Sequence, residues 1–181
     1  MLISFSGSSS SGKSTLLQKC KENYNHNFTC VEEITRKIKA KGFNINEAGD
    51  DITQILIINS HIENSLIQNA ILDRCALDGL IYTKYLYYKG QVRSSTVETA
   101  EIVYNYLIPK YDVIFYTEPL PLIDDGIRSI STSFREITIQ LFEEQIKKDT
   151  LLASKIVRLS GSVDERMDII DDKIKQLTKS N

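Results

Sequence analysis

Short apolar, β-rich runs alternate with stretches of helical period along the whole of this 181-residue chain. The runs lie around residues 2–6, 28–32, 69–73, 112–117 and 155–159. Such alternation predicts an α/β fold, a parallel sheet with helices on both faces. The first helix begins at about Lys13, and a long one spans about 50–67, with Ile52, Ile55, Leu56, Ile62 and Leu66 along one stripe. Leu77, Leu80, Ile81 and Tyr85 mark another helix, and Val97, Ala100, Val103, Tyr104 and Leu107 a further one. Capping boxes at Ser133–Glu136 and Ser162–Glu165 place two later starts. Met167, Ile170, Ile174 and Leu177 supply the last helix with its buried face. The stretch from Glu118 to Thr132 carries loop chemistry instead, with Pro119, Pro121, Asp124, Asp125 and Gly126. The expected organisation is a single domain over 1–181 with a mobile lid at about 118–135.

The first apolar run leads directly into Gly7-Ser8-Ser9-Ser10-Ser11-Gly12-Lys13-Ser14, which matches G-x-x-x-x-G-K-[ST] at every fixed position. A strand that ends in such a loop and continues as a helix forms a nest of backbone N–H groups. The nest and the positive end of the helix favour a bound polyphosphate, here over Gly7 to Ser14 and on to Thr15. The two glycines permit backbone conformations that a Cβ would block. Lys13 reaches the β and γ phosphates, and the Ser14 hydroxyl can ligand Mg²⁺. ATP and Mg²⁺ are therefore the expected donor and cofactor. A serine-rich turn matching by accident is the bland alternative, and the helical continuation Leu16-Leu17-Gln18-Lys19 argues against it.

Phosphoryl transfer needs phosphates positioned, developing charge offset and an acceptor oxygen aligned. Ala70-Ile71-Leu72-Asp73 is an apolar run ending in an acid suited to holding the Mg²⁺ shell, or an acid that caps the next helix. Arg74 follows at the edge of the sheet where ligands bind. Glu32 and Glu33 end the second run. One of them could take or orient the acceptor's proton, or both could simply open a helix. Asp125 and Arg128 place charge on the lid, where an arginine can close over the γ-phosphate, whereas Arg135 alone reads as a solvated cation. Gln54 on the long helix could read a base edge or sit on the surface. The tyrosines between 82 and 106 could stack a base, though packing explains most of them, and His26 and His61 have no evident partner.

Composition narrows the classes. A net charge of −2 offers no general basic field for nucleic acid. Cys20, Cys30 and Cys75 are odd in number and widely spaced, which predicts reduced thiols rather than a disulfide frame or zinc site. No basic leader and no apolar stretch of membrane-spanning length is evident, so a soluble, cytoplasmic protein is expected.

Taken together, the phosphate loop, Val31-Glu32-Glu33-Ile34-Thr35-Arg36, Thr53-Gln54, Ile71-Leu72-Asp73-Arg74 and Asp124-Asp125-Gly126-Ile127-Arg128 resemble the small nucleoside and nucleotide kinases. The pattern is similar above all to the nicotinamide-riboside-kinase-like group and its phage-encoded relatives. The resemblance implies a P-loop kinase fold with a five-stranded parallel sheet in the order 2-3-1-4-5. It implies Lys13 and Ser14 on phosphate and Mg²⁺, Glu33 beside the acceptor hydroxyl, and Arg36 and Arg74 near acceptor or transferred phosphate. It also implies a lid role for Asp125 and Arg128 and an adenine-wrapping loop at Gly161-Ser162, a loop that helix capping by Ser162 explains as well. Cys75-Ala76-Leu77 after Asp73-Arg74 departs from the aromatic or serine that thymidylate and deoxynucleoside kinases favour there. The activity implied is transfer of the γ-phosphoryl group of ATP to a small nucleoside or nucleoside monophosphate. Alternatives are a kinase of hydroxymethylated bases in phage DNA and an NTPase that uses water; the absence of N-K-x-D disfavours a GTPase.

Overall fold

Strand β1 (Leu2–Ser6) runs through the middle of a five-stranded sheet, and its end launches the phosphate loop into helix α1 (Lys13–Tyr24). The structure, a computed structural model, describes residues 1–119 and 132–179. Asp125 and Arg128, with most of the expected lid, lie outside the described residues. Beyond α1 come β2 (Thr29–Val31), α2 (Thr35–Ala40), α3 (Asp51–Asn64), β3 (Ala70–Asp73), α4 (Ala76–Tyr88) and α5 (Ser94–Leu107). Then follow β4 (Val113–Thr117), α6 (Thr132–Lys148), α7 (Thr150–Lys155), β5 (Ile156–Leu159) and α8 (Val163–Lys179).

All four strand pairings are parallel and the order is β2-β3-β1-β4-β5, as the resemblance implied. Because successive side chains point to opposite faces, each central strand feeds two cores. Leu2, Ala70, Leu72, Ile114 and Tyr116 pack with Leu77, Leu80, Tyr104 and Phe142 on one side. Ile3, Phe5, Ile71, Val113 and Phe115 pack with Leu16, Leu17, Met167, Ile170 and Ile174 on the other. Burial on both faces is why these strands read as continuous apolar runs rather than alternating ones. The carboxyl ends of β1, β3 and β4 converge on one rim, where open α/β sheets bind ligands.

Helix α8 starts where its capping box places it: Glu165 accepts from Ser162 N at 2.7 Å and Ser162 Oγ accepts from Glu165 N at 3.3 Å. Helix α6 is described from Thr132 onward and holds Ser133 near that edge. Helix α3 corrects the pattern reading. Ile52, Ile55, Leu56, Ile62 and Leu66 are exposed, Ile52 by 58% and Leu66 by 72%. The buried side of α3 is instead Thr53, Gln54, Ile57, Ile58 and His61. The helix docks through this mixed face because it walls a polar pocket rather than the apolar core alone. Its N-terminus is fixed by a box of its own, in which Asp50 Oδ1 accepts from Thr53 N at 2.9 Å and Thr53 Oγ1 accepts from Asp50 N at 2.8 Å. Cys20, Cys30 and Cys75 are free thiols. Among the described residues no helix is long and apolar enough to cross a membrane.

Candidate active site at the sheet rim

The phosphate loop is held in a shape that needs both its glycines. Gly7 has φ +131°, and a Cβ on it would stand 2.8 Å from the Thr117 carbonyl oxygen at the end of β4. Gly12, at φ +86°, turns the chain into α1. Ser8, Ser9, Ser10 and Ser11 are buried in the nest. The Ser11 hydroxyl lies 2.6 Å from Thr117 Oγ1, which ties the loop to β4. Lys13 Nζ folds back to donate to Gly7 O at 2.9 Å, Ser8 O at 2.7 Å and Ser11 Oγ at 3.0 Å. Burial, with the neighbouring Arg74 charge, pulls this ammonium down to about 8, against the attraction of Asp73, Asp78 and Glu33. Thr15 is on the exposed side of α1.

Asp73 ends β3 beside the loop and accepts from Ser14 Oγ at 2.9 Å through Oδ2. It does not cap α4; Cys75 occupies that position, with Asp78 as the acid of its box. Asp73 Oδ1 is buried and has no hydrogen-bond partner among the described residues. Burial and the charge of Glu33 push its carboxyl up. An orphaned carboxylate oxygen next to a serine hydroxyl fits a hard cation such as Mg²⁺. No cluster of three His, Cys, Asp or Glu ligands exists among the described residues.

Arg74 is a non-glycine residue at φ +82°, a conformation costing about 1–3 kcal/mol that surrounding contacts must hold. Its N–H donates to Phe5 O at 2.9 Å, Nε to Glu33 Oε1 at 2.5 Å and a terminal nitrogen to Asp78 Oδ1 at 3.0 Å. The guanidinium also lies 4.9 Å over the Tyr82 ring. Burial pushes the Glu33 carboxyl up, but Arg74, the Thr35 hydroxyl and Lys13 outweigh it and hold it below the usual carboxylate range. Glu32 by contrast is exposed and lies 4.0 Å from Lys21.

From Glu33 and Arg74 a narrow pocket runs between α3 and α4, reaching Gln54, His61, Gly79 and Tyr82. Gln54 is buried, and its Oε1 lies 3.0 Å from Thr83 Oγ1. The same Glu33 and Arg74 line the small cavity of the phosphate loop, with Ser9 to Ser14. Nest and pocket therefore meet at these two side chains. Arg36 is not brought to the pocket; it borders an outer groove with Ser14, Glu32, Glu33 and Asp73. Gly161 and Ser162 form the turn before α8, joined to the nest by Arg166, which donates to Gly161 O at 3.0 Å and Ser11 O at 2.8 Å.

The sequence matches the model of an AAA domain over residues 2–166. The chain belongs to the AAA domain family. No curated protein matches it at a significant level. Among solved structures, this AAA domain is similar to the NadR protein in complex with NR, at 20% identity and TM-score 0.73, covering 97% of this chain and 50% of that one. It thus spans about half the length of that relative. It is similar to deoxyadenosine kinase from M. mycoides with products bound, at 16% identity and TM-score 0.68, covering 98% of this chain and 100% of that one. A third likeness is to thymidylate kinase from Candida albicans, at 18% identity and TM-score 0.63, covering 99% and 93%. At these identities the likeness shows the shared fold.

Sequence reasoning missed three residues of the rim of this AAA domain. Asp78 follows Arg74 at helical spacing on α4, and Thr117 and Arg166 brace the nest from β4 and α8; Tyr82, one of the tyrosines offered for stacking, lies under the Arg74 guanidinium. His61 belongs with Gln54, seven residues on along α3 and so two turns up the same face. Arg135, expected as a solvated cation, is half-buried with a terminal nitrogen 3.4 Å from Ser10 O.

Proposed function

We propose that the chain is a single-domain kinase, dependent on ATP and Mg²⁺, that transfers the γ-phosphoryl group to a small nucleoside or nucleoside monophosphate. The observation that carries this reading is that Glu33 and Arg74 line both the phosphate nest and the narrow pocket beside it. A water-using NTPase has no need of a second pocket opening onto its phosphates. In this reading the nest holds the triphosphate, and Lys13 swings from the loop carbonyls to the β and γ oxygens. Ser14 and Asp73 would hold Mg²⁺, which when bound offsets charge on the phosphates. Glu33 aligns the acceptor hydroxyl and takes its proton as the new oxygen–phosphorus bond forms and the bond to the ADP oxygen breaks. Arg74, itself clamped, sets the orientation of Glu33. The Gly161-Ser162 turn faces the donor side, and Arg128 would act from the lid. Of the proteins that share the fold, one has NR bound and two are kinases named for deoxyadenosine and thymidylate, which supports the acceptor class.

The test is product analysis with ATP, Mg²⁺ and a panel of nucleosides, nicotinamide riboside and 5′-monophosphates. ADP should form only when an acceptor is present, with a phosphorylated product. Hydrolysis that ignores the acceptor would refute transfer in favour of an NTPase. Product only on DNA carrying hydroxymethylated bases would refute the small-molecule acceptor.

A further inference from the structure

The inner end of the pocket holds polarity that the protein itself leaves unused. His61 is only 3% exposed, and neither Nδ1 nor Nε2 has a hydrogen-bond partner among the described residues. Its ring lies against Gly79, where a Cβ would stand 3.0 Å from Cδ2 and 3.3 Å from Nε2. Glycine is unfavourable inside a helix, and here its place in α4 is what admits the imidazole. Burial keeps the ring neutral, pulling it down to about 4. A neutral imidazole carries one donor and one acceptor, and burying either without a partner is costly. Gln54, two turns back on the same face, adds an amide to this end.

The outer end has a different character. Glu33 and Asp78 bring two carboxylates against the single guanidinium of Arg74, which both already engage. A phosphate dianion entering there would have to compete with both carboxylates for Arg74, and Lys13, which also offsets Glu33, is engaged on the phosphate loop, whereas sugar hydroxyls would find acceptors.

Resting on the kinase reading, we propose that the pocket takes an unphosphorylated nucleoside. Its sugar hydroxyls lie toward Glu33 and Arg74, and its heterocycle meets His61, which sets specificity by hydrogen bonding to the heterocycle's polar edge. His61 touches the acceptor far from the transferred group. It therefore acts on acceptor affinity and choice, not on the chemical step.

Calorimetric titration of the whole protein with the eight common ribo- and deoxyribonucleosides and their 5′-monophosphates tests this. At least one nucleoside should bind at least tenfold more tightly than its own monophosphate. His61→Leu should weaken that nucleoside by about 10- to 100-fold, the loss of one or two hydrogen bonds, and raise its KM while kcat and the KM for ATP stay within twofold. His61→Leu should melt no lower than wild type, because it removes an orphaned polar group. Should it not fold, His61→Gln, which keeps donor and acceptor, is read instead and must change the ranking of the heterocycles. Unchanged nucleoside affinity in the Leu variant, an unchanged ranking in the Gln variant, tighter binding of monophosphates, or no nucleoside binding would each overturn the assignment. A wild-type enzyme that phosphorylates monophosphates but binds no nucleoside leaves the kinase reading standing and removes only this one. His61-dependent nucleoside binding with no transfer to any acceptor removes the kinase reading and keeps the pocket assignment.

Discussion

Replacing Glu33 by Gln keeps the length of the side chain and removes only its charge. Glu33 and Arg74 meet at 2.5 Å with 14% and 12% of their side chains exposed, so solvent screens the pair weakly. Removing one partner of a buried pair costs about 3–5 kcal/mol when the other charge is left alone. Arg74 is not left alone: Asp78 Oδ1 stays at 3.0 Å and the Tyr82 ring lies beneath the guanidinium. The expected loss is therefore about 1–2 kcal/mol, or about 2–8 °C in Tm for a domain of this size. Turnover should fall much further, by about 100-fold or more, because aligning and deprotonating the acceptor contributes about 10²–10⁴. ATP affinity should change less than about threefold, since the nest keeps all its own contacts. The pH dependence has a definite sign. Glu33 titrates lower in the folded protein than its ordinary 4.5, so its stabilising effect is present above that value and lost as pH falls below it. The gap in stability between wild type and variant should accordingly shrink from pH 7 to pH 4. Urea denaturation at the two pH values, with steady-state kinetics at pH 7, measures all of this. A variant that loses stability but turns over within threefold of wild type would refute proton acceptance and leave Glu33 as a clamp on Arg74. Parallel losses of turnover and ATP affinity would refute it equally, by placing Glu33 in the architecture of the nest.

Lys13 sits at about 8 while its ammonium is buried on loop carbonyls, and a bound triphosphate should raise that value. ATP binding at pH 9 should therefore take up protons, seen as a dependence of the calorimetric heat on buffer ionisation enthalpy; its absence would refute the contact. His61, lowered from 6.5 to about 4 chiefly by burial, makes the folded state bind fewer protons than the unfolded one between those values. Stability should fall by about 2 kcal/mol from pH 7 to pH 5 relative to His61→Leu, and parallel denaturation curves for the two proteins would refute a buried neutral ring. Gly7→Ala forces a Cβ to 2.8 Å from Thr117 O at φ +131°. It should cost about 1–3 kcal/mol and abolish ATP binding by thermal shift, with Gly90→Ala, which meets nothing within 4 Å, as the tolerant control for a positive-φ glycine.

What was legible in the chain was whatever local physics writes into adjacent residues. The five apolar runs and the helices between them followed from side-chain period, and the nest from two glycines, a lysine and a serine at set spacing. Asp73 at the end of its strand was legible for the same reason. Which face of α3 turns inward was not, because five aliphatic residues made the more apolar stripe and only docking against α4 turns Gln54 and His61 to the pocket instead. Nor could spacing reveal that Glu33 would meet Arg74, 41 residues away, or Arg166 reach Ser11 across 155. Those contacts exist because a parallel sheet delivers the ends of distant strands to one rim. Periodicity records which residues must leave water, and only the assembled layers decide which of them meet.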